Sequence, residues 1–278
     1  MKFSIITPVF NGMPWIDCCI RSVNDQQHVD WEHIVQDGGS SDGTAQLCQQ
    51  FPRVQYVQEK DRGMYDAINR GFKRARGDIF LQLNCDEQLL LGALSAASRF
   101  FETHSEVEIA FAYVLVLNPQ GNLLCYRKTL LPTRLHTQIS HLATLTCATF
   151  YRRQAIEKHG LYFDTDYRVL GDAELICRAL NRKVCMAIFP EYTSAFTITG
   201  KNLSNDTRAI PERQKMASKA PWLLRKAKPL VKMYHRFVRT LGGVYSQGPL
   251  DYSVYTPASL QNRVSFHVEK PDFRWKEL

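Results

Sequence analysis

Trp31-Glu32-His33-Ile34-Val35-Gln36-Asp37-Gly38-Gly39-Ser40-Ser41-Asp42-Gly43-Thr44 is the stretch whose reading decides the fold. The apolar run from Trp31 to Val35 reads as a buried strand that delivers Asp37 at its carboxyl end. Two glycines follow, which let the backbone turn sharply and come close to a ligand. Asp42-Gly43-Thr44 then reads as a helix start, with Asp42 as its N-cap. A strand, a glycine turn and a helix in succession form the place where open α/β sheets bind ligands, outside the strand ends. A lone Asp-Gly-Gly would be an ordinary connection, but three other stretches of this chain repeat the pattern.

Upstream, residues 3–9 form a first strand that ends at Pro8-Val9-Phe10-Asn11-Gly12, and Pro14 suits the first turn of a helix carrying Ile16, Cys19, Ile20 and Val23. Downstream, Val54–Val57 is a third strand running into Glu59-Lys60-Asp61-Arg62-Gly63. A helix over 64–75 then presents Met64, Ala67, Ile68, Gly71 and Phe72 on one face. Asp78–Leu83 is a fourth strand that stops at Asn84-Cys85-Asp86-Glu87. Leu90, Leu94, Ala97 and Phe101 mark a helix over 87–102, with Asp86 at its cap position and Glu87 facing solvent. This alternation predicts an α/β fold with a parallel, doubly wound sheet over about residues 1–105. Beyond it the pattern changes. Ile109–Leu117 and Leu123–Arg127 flank the turn cluster 118–122 as an antiparallel hairpin, and 129–145 is a mixed segment in which His136 and His141 read as surface or flap residues. A strand over 147–151, a helix over 171–181 and strands near 184–188 and 192–198 complete the expected core. Composition breaks at 201–206, so the expected division is a domain over 1–200 (halves 1–105 and 106–200) and an extension over 201–278.

Bulk properties narrow the class. The chain has 278 residues, a size that holds one large α/β domain with an appendage. No apolar run approaches the ~18 residues of a membrane span, and the first residues hold too short an apolar core for a secretory signal. Eight cysteines without a Cys-x-x-Cys pair make neither a disulfide nor a zinc framework, and a reducing cytoplasm is the expected compartment. The net charge of +8 is local: residues 213–239 carry nine Lys/Arg and no Asp or Glu, leaving the remainder at −1. Within this run Leu223, Leu230, Val231, Tyr234, Phe237, Val238 and Leu241 recur at helical spacing, and Pro229 must break or kink the helix. A basic amphipathic segment over 213–241 can lie peripherally on an anionic membrane, or pack on the domain with a solvated basic face. Without a recognised nucleic-acid motif, nucleic acid is not an expected partner.

The four polar loops all follow strand carboxyl ends and so can converge on one crevice. Neither G-x-x-x-x-G-K-[ST] nor G-x-G-x-x-G occurs. A nucleotide would then be held by carboxylates on its base and ribose and by a metal on its phosphates. Asp86 is the metal candidate, because diphosphate sites hold Mg²⁺ or Mn²⁺ by one or two carboxylates with phosphates and water. In the second half, Asp172 sits three, four and seven residues before Leu175, Ile176 and Ala179, on their buried face, as suits a partly desolvated base. Glu174 is spaced to pair with Arg178.

Thr7-Pro8-Val9-Phe10-Asn11, the run Asp37–Thr44, Glu59–Gly71, and Gly77-Asp78 through Asn84-Cys85-Asp86 together resemble the family 2 glycosyltransferases of the GT-A fold, over about residues 1–200. The resemblance implies inverting transfer of a sugar from a nucleotide-sugar donor, UDP-linked, to a glycan or lipid-linked acceptor. It implies that Pro8, Val9 and Asp37 contact the nucleobase and that Asp61 and Arg62 lie close to the nucleotide. Thr7, Asn11, Gly38, Gly63, Asp66, Asn84 and Cys85 belong to the same donor-binding motifs. Asn84-Cys85-Asp86 looks like the family's D-x-D metal motif with Asn84 in place of the first Asp, which leaves Asp86 as the main ligand for Mn²⁺ or Mg²⁺. Asp172 aligns with the general base of the family's E-D-x-x-L helix, with Gly171 where the acidic neighbour often stands. Two rivals remain at this stage: a nucleotidyltransferase, whose Gly-rich, Arg/Lys-bearing loop after strand one is poorly matched by Asn11-Gly12-Met13-Pro14, and a non-catalytic protein that binds a nucleotide sugar or a membrane.

Overall fold

The computed structural model describes residues 1–200, 202 and 207–275. Strand β1 (Lys2–Val9) is buried in all but its first residue. The helix α1 (Trp15–Asn24) follows, and β2 (Asp30–Asp37) then pairs with β1 in parallel from Lys2/Asp30 to Val9/Asp37, so Asp37 ends level with Val9. After α2 (Thr44–Cys48), β3 (Val54–Gln58) adds in parallel outside β2, and after α3 (Met64–Arg74), β4 (Ile79–Gln82) adds in parallel on the other side of β1. The order β3-β2-β1-β4 reverses direction at β1, and its carboxyl ends form a crevice edge. Gly71 is what lets α3 lie against the sheet: a Cβ there would stand 2.4 Å from the Ile6 side chain.

The second half extends the same sheet with mixed polarity. The short β5 (Glu87–Leu89) precedes α4 (Ala93–Thr103), and β6 (Ile109–Leu117) pairs with β7 (Leu123–Arg127) as the expected antiparallel hairpin. A six-residue helix α5 (Arg134–Ile139) crosses the mixed segment and leads to β8 (Thr149–Arg152), which joins β4 to β6 with both pairings antiparallel. The helices α6 (Arg153–His159) and α7 (Gly171–Asn181) precede β9 (Met186–Thr197), one long strand where two short ones were expected. The full order is β3-β2-β1-β4-β8-β6-β9-β5, with β7 on the side of β6. A GT-A-type α/β sheet flanked by helices is therefore the architecture, parallel over β3-β2-β1-β4 and of mixed polarity from β8 onward.

Two expectations around Asp86 need correction. No helix starts at 87, because Glu87–Leu89 pairs with β9 before α4 begins. Glu87 does not face solvent: it is 1% exposed, and its Oε2 accepts the Asn84 N–H at 2.6 Å. The long-range strand partner overrode the local helical spacing.

After residue 200 come α8 (Ala209–Ser218), α9 (Trp222–Lys226) and α10 (Lys228–Leu241), then a hairpin of β10 (Leu250–Thr256) and β11 (Ser259–Val268). Pro229 stands in the first turn of α10, where its missing N–H costs nothing, so the kink expected there is a helix boundary. The compositional break at 201–206 lies, except for Asn202, outside the described residues. The hairpin had no counterpart in the sequence reading. It is fastened to α1 by Arg263, whose guanidinium donates to both carboxylate oxygens of Asp25 (2.6 and 2.8 Å) and to the carbonyls of Ser22, Leu89 and Ser253.

Candidate active site

A cleft of about 1020 Å³ opens along the carboxyl ends of β1, β2 and β4 and reaches the start of α7. Pro8, Val9, Gly38, Asp61, Arg62, Gly63, Asn84, Cys85, Asp86 and Asp172 all line it. Ten of the expected site residues, drawn from five separate stretches, therefore share one cavity. Thr7, Asn11, Asp37 and Asp66 do not line it and act on the loops instead. Thr7 is buried with its hydroxyl on His33 Nε2 at 2.8 Å. Asn11 Oδ1 accepts the Ser41 N–H, and the Asn11 N–H donates to Ser40 Oγ. Asp66 Oδ2 accepts the Arg62 N–H at 3.1 Å and takes Arg70 at 2.9 Å.

Asp37 shows how the first loop is set. It is fully buried, and Oδ1 accepts the N–H groups of Gly39 and Ser40 and the Ser40 hydroxyl, while Tyr56 donates its hydroxyl to Oδ2 at 2.6 Å. Four donors on one carboxylate pin the turn. Gly38 then presents bare backbone to the cleft, with Asp61 packed so closely that a Cβ on Gly38 would meet Asp61 Oδ2 at 2.7 Å. Asp61 in turn accepts the Gly63 N–H at 2.7 Å. Gly63 itself sits at φ 117°, which favours glycine, and faces the guanidinium of Arg168. Asp42 is not the N-cap expected of it, a position Gly43 takes at φ 96°; from one residue further out its Oδ1 accepts the Thr44 N–H and hydroxyl and its Oδ2 the Met13 N–H, which ties the first two loops together.

Three further carboxylates of the cleft, Asp86, Glu87 and Asp172, are held differently. Asp86 accepts Asn202 Nδ2 at 2.9 Å, and burial pushes its carboxyl above the usual range. Glu87 beside it is driven up by its own burial and then by the charge of Asp86. Asp172, in the first turn of α7, accepts the N–H of Ala173 at 2.7 Å, a bond that favours ionisation. Burial wins nonetheless and lifts its carboxyl to about 6. Beneath it lies Tyr65, whose hydroxyl donates to the Val169 carbonyl at 2.8 Å. Gly171 is required by that ring, since a Cβ there would meet it at 2.6 Å. Glu174 faces away from the cleft and pairs with Arg178 as its spacing indicated.

The wall built by 136–145 corrects the reading of His136, whereas His141 is exposed as expected. His136 is 3% exposed and its ring stacks on His235 of α10 at 3.7 Å between centroids, with His141 edge-on at 4.6 Å. Burial depresses them to about 3 and about 4, so this cluster is neutral at ordinary pH. Only His141 of the three lines the cleft. Sequence reasoning also missed Tyr65, Arg168, Asn202 and Arg213, all of them lining residues save that Tyr65 lay inside a quoted motif. Among the described residues no group of three or more His, Cys, Asp or Glu could cage a metal ion unaided.

The chain belongs to glycosyl transferase family 2, whose sequence model matches residues 4–160. It is 28% identical over 188 residues to a PGL/p-HBAD biosynthesis glycosyltransferase of Mycobacterium bovis, an alignment covering 64% of this chain and 70% of that protein. In structure it resembles S. aureus TarS 1-349 in complex with UDP-GlcNAc, with TM-score 0.61 and 18% identity over 87% of this chain and 75% of that one. It also resembles the mannosyltransferase PcManGT from Pyrobaculum calidifontis in complex with GDP-Man and Mn²⁺, with TM-score 0.56 and 19% identity over 85% of this chain and 64% of that one.

Proposed function

We propose that this glycosyltransferase moves a sugar, with inversion, from a UDP-linked donor to a hydroxyl of a glycan or lipid-linked acceptor, with Asp172 as general base and Asp86 as the protein's ligand to a divalent metal. The observation that carries this reading is that Asp86 and Asp172, 86 residues apart in the chain, line one cleft and are both desolvated there. A desolvated carboxylate gains by meeting a cation, and one carboxylate with a diphosphate and water is an ordinary donor set for Mn²⁺ or Mg²⁺. The site therefore fits such an ion, which when bound supplies charge neutralisation for the departing diphosphate. Gly38 and Gly63 offer close backbone approach to the nucleotide, and Asp61, Arg62 and Arg168 surround it. Asp172 takes the proton of the acceptor hydroxyl, and being charged only above about pH 6 it is a base matched to neutral solution. A base that does not itself attack leaves the donor carbon to be approached once, from the opposite face, hence inversion. The UDP preference draws support from the TarS complex. A thermal-shift panel of nucleotide sugars with Mn²⁺ tests it: stabilisation by UDP-sugars alone supports the reading, and stabilisation by GDP-sugars alone overturns it.

The enzyme works, on this reading, at an anionic membrane surface through 213–241. Helix α10 points Leu230, Met233, Tyr234, Phe237 and Leu241 outward, each more than half exposed, at spacings that form one stripe. Trp222 and Leu223 of α9 are equally exposed. Val231 and Val238, expected in the same stripe, turn inward with His235. Lys and Arg flank the stripe with no acid between 213 and 239, so the charge suits anionic headgroups, at about 1 kcal/mol for each basic residue near the surface. Among the described residues no helix is long and apolar enough to cross a membrane. Sedimentation with phosphatidylcholine vesicles, with and without phosphatidylglycerol, checks it. Binding that needs the anionic lipid and fails in Leu230→Ser/Phe237→Ser supports the surface, and an unbound wild type sinks it.

A further inference from the structure

The backbone immediately before α7 is held by a residue of the C-terminal extension. Glu212, in the first turn of α8, accepts the N–H of Arg168 on Oε1 at 2.5 Å and those of Val169 and Leu170 on Oε2 at 3.0 and 2.8 Å. These are consecutive donors that no side chain at the helix cap satisfies, since Leu170 occupies the cap position. From the other side Tyr65 grips the same loop by the Val169 carbonyl and reaches the Asp172 N–H at 3.4 Å. Lys215, one turn along α8, stands 4.7 Å over the ring of Tyr167, and Met216 is buried in the cluster that holds Ala173 and Leu175. Thus α8 is seated on the loop by a charge, a cation–π contact and an apolar anchor.

We propose that Glu212 is a positioning residue for Asp172: it clamps the 168–170 backbone and so sets where the carboxylate at the start of α7 points. The proposal rests on the reading of Asp172 as the base. Glu212 acts in two ways. Mechanically, three charge-assisted hydrogen bonds fix the loop that carries Asp172 and the cleft residue Arg168. Electrically, its charge adds to burial in holding the Asp172 proton. The other groups near Asp172 are Tyr65 and Tyr151, both raised by burial and then by its charge and so neutral, while Arg168 and Arg213 line the same cleft.

The deciding arms of the test need no identified substrate. Amide hydrogen exchange on the full chain compares wild type, Glu212→Ala and Glu212→Gln, with Glu212→Gln standing in if the alanine variant does not fold. The exchange of 168–170 should rise about tenfold or more while β1 and β4 stay protected, since these bonds are what closes the segment. In parallel, the ¹³C carboxyl titration of Asp172, identified by its loss in Asp172→Asn, should move to lower pH in Glu212→Gln and stay in place in Glu212→Asp, which keeps the charge. With UDP-GlcNAc and Mn²⁺, UDP release by Glu212→Ala should fall about 10- to 100-fold in kcat, with donor KM within about twofold, as expected of a displaced base. Unchanged exchange at 168–170, or an unmoved Asp172 titration in Glu212→Gln, overturns the proposal. Native turnover in Asp172→Asn with the exchange result intact instead removes the base and leaves the clamp standing.

Discussion

The donor-side loops and the C-terminal helices treat their surface groups in opposite ways. In the loop after β2, Asp37 is saturated by four donors and becomes framework. On α10 no residue is fully buried, and an apolar stripe is turned outward. Between these extremes lie Asp86 and Asp172, buried enough to be raised yet open to the cleft. Saturated groups build the site here, half-satisfied carboxylates stay open to the cleft, and unsatisfied apolar surface looks for a partner.

The sharpest way to break that comparison is to exchange a half-satisfied group for a neutral one. Asp172→Asn should lower turnover about 10²–10⁴-fold with little effect on donor binding. Near-native rates would move Asp172 from chemistry into framework. Next comes the fastening of the hairpin: Arg263→Ala removes the guanidinium's bonds to Asp25 and three carbonyls, leaving Asp25 with the Tyr255 hydroxyl, and a loss of about 1–2 kcal/mol is expected, read as a drop of a few degrees in Tm. An unchanged Tm would show that β10–β11 is held by its apolar contacts alone. A finer cut uses pH. Because burial raises Asp172 to about 6 and the base proposed is its ionised form, kcat/KM should rise with pH and level off above about 6. A profile flat down to pH 4 would mean that Asp172 is not desolvated or not the base. The smallest effect is expected on α10, where Leu230→Ser and Phe237→Ser should change Tm by less than about 0.5 kcal/mol equivalent while abolishing vesicle binding. A large loss of stability would mean that the stripe is packed in solution.

The donor half was readable because its information is local. A strand, a glycine turn and a helix start are each written in contiguous residues, and the side-chain period then puts every loop at the same sheet edge. Asp61 and Gly63, Asn84 and Asp86 could be placed for that reason. Helix α7 was found to its ends, and the face bearing Asp172 followed from its spacing. Glu87 was misplaced because its neighbours spell a helix while its strand partner Phe196 lies 109 residues away. His136 looked like a surface residue because His235, which buries it, is 99 positions on.

By itself, then, the order of residues settled the alternating elements, the family and the set of polar loops, since these depend on neighbours a few positions apart. Tertiary structure alone decided which carboxylates are saturated and which are exposed to the cleft, which side of α10 is covered, and that Glu212 meets the loop before Asp172. Those outcomes turn on desolvation and on hydrogen bonds between distant segments. Neither has a signature until the chain has closed on itself.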